Sequence, residues 1–202
     1  MYSRREERTV LLGLMSDTHG NGEAILKVAA IFRRHHVAKI IHLGDDYEDV
    51  LFLQDEPVEV IAVPGLYCAA YRDPAIPNRR LVEMAGVRLL LTHSPKVSPY
   101  DRRGDGDPQA LAKDVDLVLF GHTHRPQVFC QDGVWWINPG HLKAYDNRGC
   151  APSYGLLRLG PSEVAVQIIT LKEQETLVAY TMPLKRPGQG PARQEQEDGS
   201  KH

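Results

Sequence analysis

Short apolar runs at 10–15, 39–43, 58–63, 87–91 and 117–120 divide the first part of the chain, and each stops at a cluster of turn-forming or polar residues. Runs of this length bounded by turn signals read as buried strands. Four of them are followed by Asp17-Thr18-His19, Gly44-Asp45-Asp46, Thr92-His93 and Gly121-His122-Thr123-His124. In an open sheet, ligands gather beyond the carboxyl ends of the strands. Four separate strand ends bringing Asp and His to one edge describe a hard-to-borderline metal site holding more than one ion. The fifth run ends differently, in Pro64-Gly65-Leu66-Tyr67-Cys68.

Helical patterns alternate with these runs. Asn21 can cap a helix whose apolar positions Ala24, Ile25, Val28, Ala29 and Phe32 keep a three-to-four spacing. A shorter helix is expected over 47–53, a turn-rich loop over 74–78, and a third helix over 108–113, with Pro108 in its first turn. After Gly121 the pattern turns to short strands at 127–130, 134–137, 154–159, 163–171 and 176–180, so a second sheet is expected to pack on the first. Residues 1–8 read as a charged, loose leader, 9–184 as the folded domain, and 185–202 as a disordered tail too polar to bury apolar area.

Composition narrows the function classes. With 202 residues, 42% hydrophobic and 25% charged, the chain suits one soluble domain with a sizeable core. Its formal net charge of −2 carries no dominant basic stretch, so nucleic-acid binding by bulk charge is not expected. The longest early apolar run is too short for a membrane span or a signal core, so no membrane association is expected. The three cysteines Cys68, Cys130 and Cys150 make no even disulfide framework, which favours a reducing, cytoplasmic setting. The sequence leaves room for a homo-oligomer.

A dinuclear hydrolase needs a carboxylate that bridges two cations, with imidazoles and carboxylates filling the remaining positions. A hydroxide between the ions then attacks in line, its pKa lowered toward ~7. Asp17 and His19 lie two apart and can chelate one ion from an extended segment. Asp45 follows a glycine at a strand end and suits the bridge. His122 and His124 repeat the two-residue spacing, and His93 adds a further nitrogen.

These motifs resemble the calcineurin-like metallophosphoesterase superfamily, most closely its small single-domain bacterial and archaeal phosphodiesterases. Ser16-Asp17-Thr18-His19-Gly20-Asn21, His42-Leu43-Gly44-Asp45, Gly121-His122-Thr123-His124-Arg125-Pro126, Asn138-Pro139-Gly140 and Pro152-Ser153-Tyr154 carry the likeness, over roughly 9–180. The resemblance implies an α/β fold, a four-layer α/β/β/α sandwich of two packed mixed sheets flanked by helices. It implies a catalytic set of Asp45, His93 and His122 and two divalent metal ions, drawn from Mn, Zn, Fe or Ni. One ion would be held by Asp17, His19, Asp45 and His124. The other would be held by Asp45, His93, His122 and an asparagine. The implied activity is phosphohydrolysis of a small phosphoester, a phosphodiester above all.

The asparagine is missing: where the family has Gly-Asn after the third strand, this chain reads Gly65-Leu66. Cys68, two residues on, could supply a thiolate and would favour Zn or Fe over Mg or Mn. Asp46, Tyr67 and Asp73 are weaker substitutes. Arg125 and His141 are expected substrate contacts, while Arg72, Lys96 and Arg148 are further possible phosphate partners. His42 reads as a packed structural histidine, Cys130 and Cys150 as structural, and Trp135-Trp136 as sheet core plus one exposed or interface ring. Two other readings stand beside the phosphoesterase. One is a weakly catalytic or non-catalytic metal-binding scaffold like the retromer subunit of this fold. The other is a metal hydrolase acting on a non-phosphate substrate.

Overall fold

Strand β1 (Val10–Met15) is the spine of the molecule. Its inward residues Leu12 and Leu14 are fully buried between two sheets, and Met15 is buried beneath a helix. The computed structural model describes residues 9–184, so the leader expected at 1–8 and the tail expected at 185–202 lie outside the described residues. Helix α1 (Gly22–Arg34) follows, with Asn21 as its cap, accepting from Ala24 N at 3.4 Å. Its apolar stripe of Ile25, Val28, Ala29 and Phe32 packs on the outer face of the first sheet, against Ile40, Tyr154 and Leu156. Gly13 makes this contact possible, since a Cβ there would lie 2.5 Å from the Phe32 ring.

The chain continues through β2 (Lys39–His42), a 3-10 helix (Tyr47–Leu53), β3 (Glu59–Ala62), a 3-10 turn (Ala69–Arg72), β4 (Arg79–Met84) and β5 (Val87–Thr92). It then runs through α2 (Pro108–Leu111), a 3-10 turn (Ala112–Asp114), β6 (Leu117–Leu119), β7 (Gln127–Gln131), β8 (Val134–Asn138), β9 (Ser153–Leu159), β10 (Glu163–Thr170) and β11 (Thr176–Pro183). Six strands form one sheet in the order β11-β10-β9-β1-β2-β3, and five form the other in the order β4-β5-β6-β8-β7. Both sheets are mixed, with a parallel part (β1-β2-β3 and β5-β6-β8) and antiparallel flanks. Leu12, Leu14, Ile41, Leu43 and Val63 meet Leu89, Leu91, Leu117, Leu119 and Ile137 in the layer between them. Outside the second sheet, Leu90, Val118, Phe120 and Trp136 pack on Ala112 and Val115. The result is the α/β/β/α sandwich. No helix among the described residues is long and apolar enough to cross a membrane.

The short helix expected over 47–53 is present and is of the 3-10 type, with Asp49 turned inward to Thr18 and Gly20. The helix expected from 108 is α-helical to Leu111 and continues as the 3-10 turn. One expectation needs correction. The late strands do not form the second sheet by themselves: β7 and β8 join β5 and β6, whereas β9–β11 extend the first sheet beside β1. The ligand-bearing strands β1, β2, β5 and β6 are therefore split between two sheets. Strand β4 carries no apolar run; it is an edge strand closed onto β5 by Ala85-Gly86, both with positive φ.

Candidate metal centre

Loops from both sheets converge at one end of the sandwich. Asp17 N donates to Gly44 O at 2.5 Å, and Gly121 N donates to His93 O at 3.0 Å. Glycine permits these approaches. A Cβ at Gly121 would lie 2.0 Å from Ser16 Oγ, and one at Gly65 would lie 2.6 Å from Asp45 Oδ1. The loops are held in an unusual backbone. Asp17, His19, His122 and His124 have φ of 51°, 48°, 66° and 60°, in the left-handed region that side chains other than glycine seldom adopt. Such strain costs of order 1–3 kcal/mol per residue and persists only where the surroundings enforce it. Here they do. Thr18 Oγ1 donates to Asp49 Oδ2 at 2.5 Å, and Gly20 N donates to the same oxygen at 2.9 Å. Asn138 Nδ2 donates to Gly121 O and Thr123 Oγ1.

One ligand atom each from Asp17, His19, Asp45 and His124 fits within 4.8 Å of the others. His19 Nε2 is 2.7 Å from Asp45 Oδ2 and 3.2 Å from His124 Nε2. His124 Nε2 is 3.3 Å from Asp17 Oδ1 and 4.0 Å from Asp45 Oδ2. On the other side of Asp45, His93 Nε2 is 2.9 Å from Oδ1, and the His93 and His122 rings meet edge to face at 5.2 Å. Asp45 is thus shared between two groups of donors.

Hydrogen bonds at the far ring nitrogens fix which atoms face inward. His93 Nδ1 donates to Leu43 O at 2.6 Å and His124 Nδ1 to Asp146 Oδ1 at 2.8 Å, which turns each Nε2 toward the cluster. His93 Nε2 is buried and has Asp45 Oδ1 at 2.9 Å, out of line for a well-aligned hydrogen bond. Lone pairs of imidazoles and carboxylates crowded at these distances repel unless positive charge lies among them. The titration directions agree. Burial opposes ionisation of Asp45, yet His19 and His93 hold its carboxyl far below the ordinary range. Burial also opposes a charged His93, yet Asp45 and Asp17 raise it. His124 is likewise raised against its burial, by Asp17 and Asp146. His122 moves the other way, lowered by burial and by His93. The donor set of carboxylates and neutral imidazoles fits a borderline divalent cation.

The remaining expected residues fall elsewhere. Leu66 is buried, and Cys68 Sγ donates to Gly65 O at 3.2 Å, outside the four-residue cluster. Arg125 is exposed, with its backbone N on Thr123 Oγ1. His141 is not at a rim: it is fully buried behind His124, ring centroids 5.3 Å apart, with Nε2 donating to Cys150 O. His42 is the expected structural histidine; it is buried, with Nε2 on Thr18 Oγ1, and burial lowers its pKa to about 4. Sequence reasoning missed Asp146, whose side chain is 2% exposed, and Asp49. Neither belongs to a local motif, and only the fold brings them to the site.

Residues 10–160 match the calcineurin-like phosphoesterase superfamily domain, and the chain belongs to that family. A probable metallophosphoesterase of Methanocaldococcus jannaschii is 32% identical over 138 residues, 65% of this chain and 68% of that protein. A phosphodiesterase of the same organism is 27% identical over 148 residues, 66% of this chain and 85% of that one. In fold, the Entamoeba histolytica Vps29 complexed with Zn²⁺ aligns with a TM-score of 0.63 at 22% identity, covering 86% of this chain and 99% of that one.

Proposed function

We propose that this chain is a divalent-metal-dependent phosphodiesterase. The observation that carries the reading is the crowding of inward-facing imidazole nitrogens and carboxylates around Asp45. In it, Asp17, His19, Asp45 and His124 would hold one ion, and Asp45, His93 and His122 a second. When bound, such ions act as Lewis acids on the phosphoryl oxygens and lower the pKa of water. The chain's own part is positional. Asp146 and the Leu43 carbonyl orient His124 and His93, and Asp49 and Asn138 fix the strained loops. Arg148 donates Nη1 to His122 O at 2.7 Å and so keeps a guanidinium beside the site, where it can meet a phosphoryl oxygen. A diester carries one negative charge and asks for less cationic help than a monoester dianion. The named phosphodiesterase relative supports the same choice.

The test is turnover of bis(p-nitrophenyl) phosphate against p-nitrophenyl phosphate with Mn, Zn, Fe or Ni, alongside elemental analysis of protein purified without added metal. Faster diester turnover that disappears on chelation is expected. Leu66 and the Vps29-like fold favour one rival, the scaffold, which expects bound metal and no turnover with any of these ions.

A further inference from the structure

Tyr67 and Tyr100 stand on the loops that leave β3 and β5, 72% and 44% exposed, with ring centroids 5.3 Å apart and edge to face. We propose that this pair is a stacking subsite for an aromatic ring of the substrate, and that the substrate is a phosphodiester with a nucleobase. The proposal rests on the phosphodiesterase reading and adds the chemistry of the organic group.

Three observations carry it. The first is position. Gly65 N donates to Asp45 O at 2.8 Å, and Cys68 N donates back to Gly65 O at 3.3 Å. Tyr67 therefore sits in a tight turn, 65–68, whose first residue is hydrogen-bonded to the backbone of Asp45. The second is rigidity. Asp101, next to Tyr100, accepts from Tyr71 Oη at 2.5 Å, from Arg79 Nη2 at 2.7 Å and from Ser98 N at 3.0 Å. Tyr71 and the Arg79 side chain are 2% and 3% exposed. A buried hydroxyl–carboxylate–guanidinium cluster thus ties the loop after β3 to the loop after β5. The rings are presented on a fixed frame, which lowers the entropy a ligand must overcome. The third is composition. Val97, on the loop that carries Tyr100, is 62% exposed, so the two loops offer ring faces and aliphatic surface together. Flat apolar groups stack on such a surface whichever base they carry.

The experiment compares two esters with one leaving group, thymidine 5′-(p-nitrophenyl phosphate) and methyl p-nitrophenyl phosphate. The wild-type protein should prefer the nucleoside ester in kcat/KM. Tyr67→Ala/Tyr100→Ala should reduce that preference by about tenfold or more, and Tyr67→Phe/Tyr100→Phe should keep it, since stacking needs the ring and not the hydroxyl. No preference in the wild type, or a preference that survives the double alanine change, overturns the subsite. Absence of turnover of either ester overturns the phosphodiesterase reading instead. The subsite is then judged by saturation-transfer NMR with thymidine 5′-monophosphate. Transfer to the base protons that the double alanine change abolishes supports it, and no transfer overturns it.

Discussion

The two halves of the centre share Asp45 and the loop that carries His122 and His124, but they are supported unequally. On one side Asp17, His19, Asp45 and His124 close to within 4.8 Å, three of the four in left-handed backbone and each loop pinned from behind. On the other, His93 and His122 face Asp45 beside Leu66, and the His122 ring has no hydrogen-bond partner among the described residues. The first half is supported: Asp17 accepts both from His122 N and from Ser16 Oγ, and His124 leans on Asp146. In the second, backbone bonds to Arg148 and Asp17 hold His122, but only the His93 ring is oriented by an outer hydrogen bond, to Leu43 O. Orientation enforced from outside raises ligand basicity and fixes geometry. On the proposed two-ion reading, the contrast makes the first ion the tight one and the second the loose one.

The bridging carboxylate gives the largest effect. Asp45→Ala should remove both ions and, because metal stabilisation of the transition state is worth several kcal/mol, cut diester turnover by about a thousandfold. Metal content and rate measured on one preparation check this. Two retained ions would break the comparison at its shared member. Next comes the outer partner of the tight half. Asp146→Ala should weaken the tight ion by about 10–100-fold and spare the loose one. Titration calorimetry that shows equal weakening at both positions would erase the asymmetry.

A further difference lies beneath the tight half. His42 donates to Thr18 Oγ1, which donates to Asp49, so the Asp17–His19 loop rests on a buried neutral imidazole. Its pKa falls from the ordinary 6.5 to about 4, through burial first, against the opposing pull of Asp49 and Asp17. Below pH 6.5 the unfolded chain binds a proton that the folded chain refuses until about pH 4. Stability is thus complete above 6.5 and declines as pH falls toward 4, by about 3 kcal/mol in all. Urea unfolding of chelated wild-type and His42→Gln protein between these limits should show a steeper loss in the wild type, the difference between the two curves being this slope. Parallel curves would mean that His42 is charged or solvated in the fold.

Much of this arrangement could be read from sequence, and the exceptions share a cause. Apolar runs ending in Asp and His marked β1, β2, β5 and β6 and the six Asp and His side chains that the fold brings to one end of the sandwich, because buried strands and residue spacing are local patterns. The Asn21 cap and the α1 stripe are local too. Strand β4 was invisible because an edge strand with Arg79, Arg80 and Glu83 needs no apolar run. The assignment of β9–β11 to the first sheet depends on long-range pairing with β1 that no window displays. The Asp146 bond to His124 and the packing of His141 behind that ring were hidden for the same reason. Their partner His124 lies 22 and 17 positions away, and the loop between must fold back for them to meet.

The loose half supplies the smallest effects and the sharpest test of its own composition. Leu66→Asn returns an amide to the family's ligand position. It should tighten the loose ion by at least the roughly tenfold that an outer-shell partner is worth. Cys68 stands two residues on, and its thiol already donates to Gly65 O at 3.2 Å. A serine hydroxyl can make the same bond, so Cys68→Ser should keep the turn within about 1 kcal/mol of wild-type stability. If Cys68 stays on that carbonyl, the variant keeps both ions at unchanged affinity. If the thiol instead turns inward as a thiolate, Cys68→Ser loses the loose ion and keeps the tight one. Competition between Zn and Mn in wild type and variant separates the cases, because sulfur ligation carries a Zn preference that serine would abolish. An unchanged metal preference with intact stoichiometry would leave the loose half held by Asp45, His93 and His122 alone.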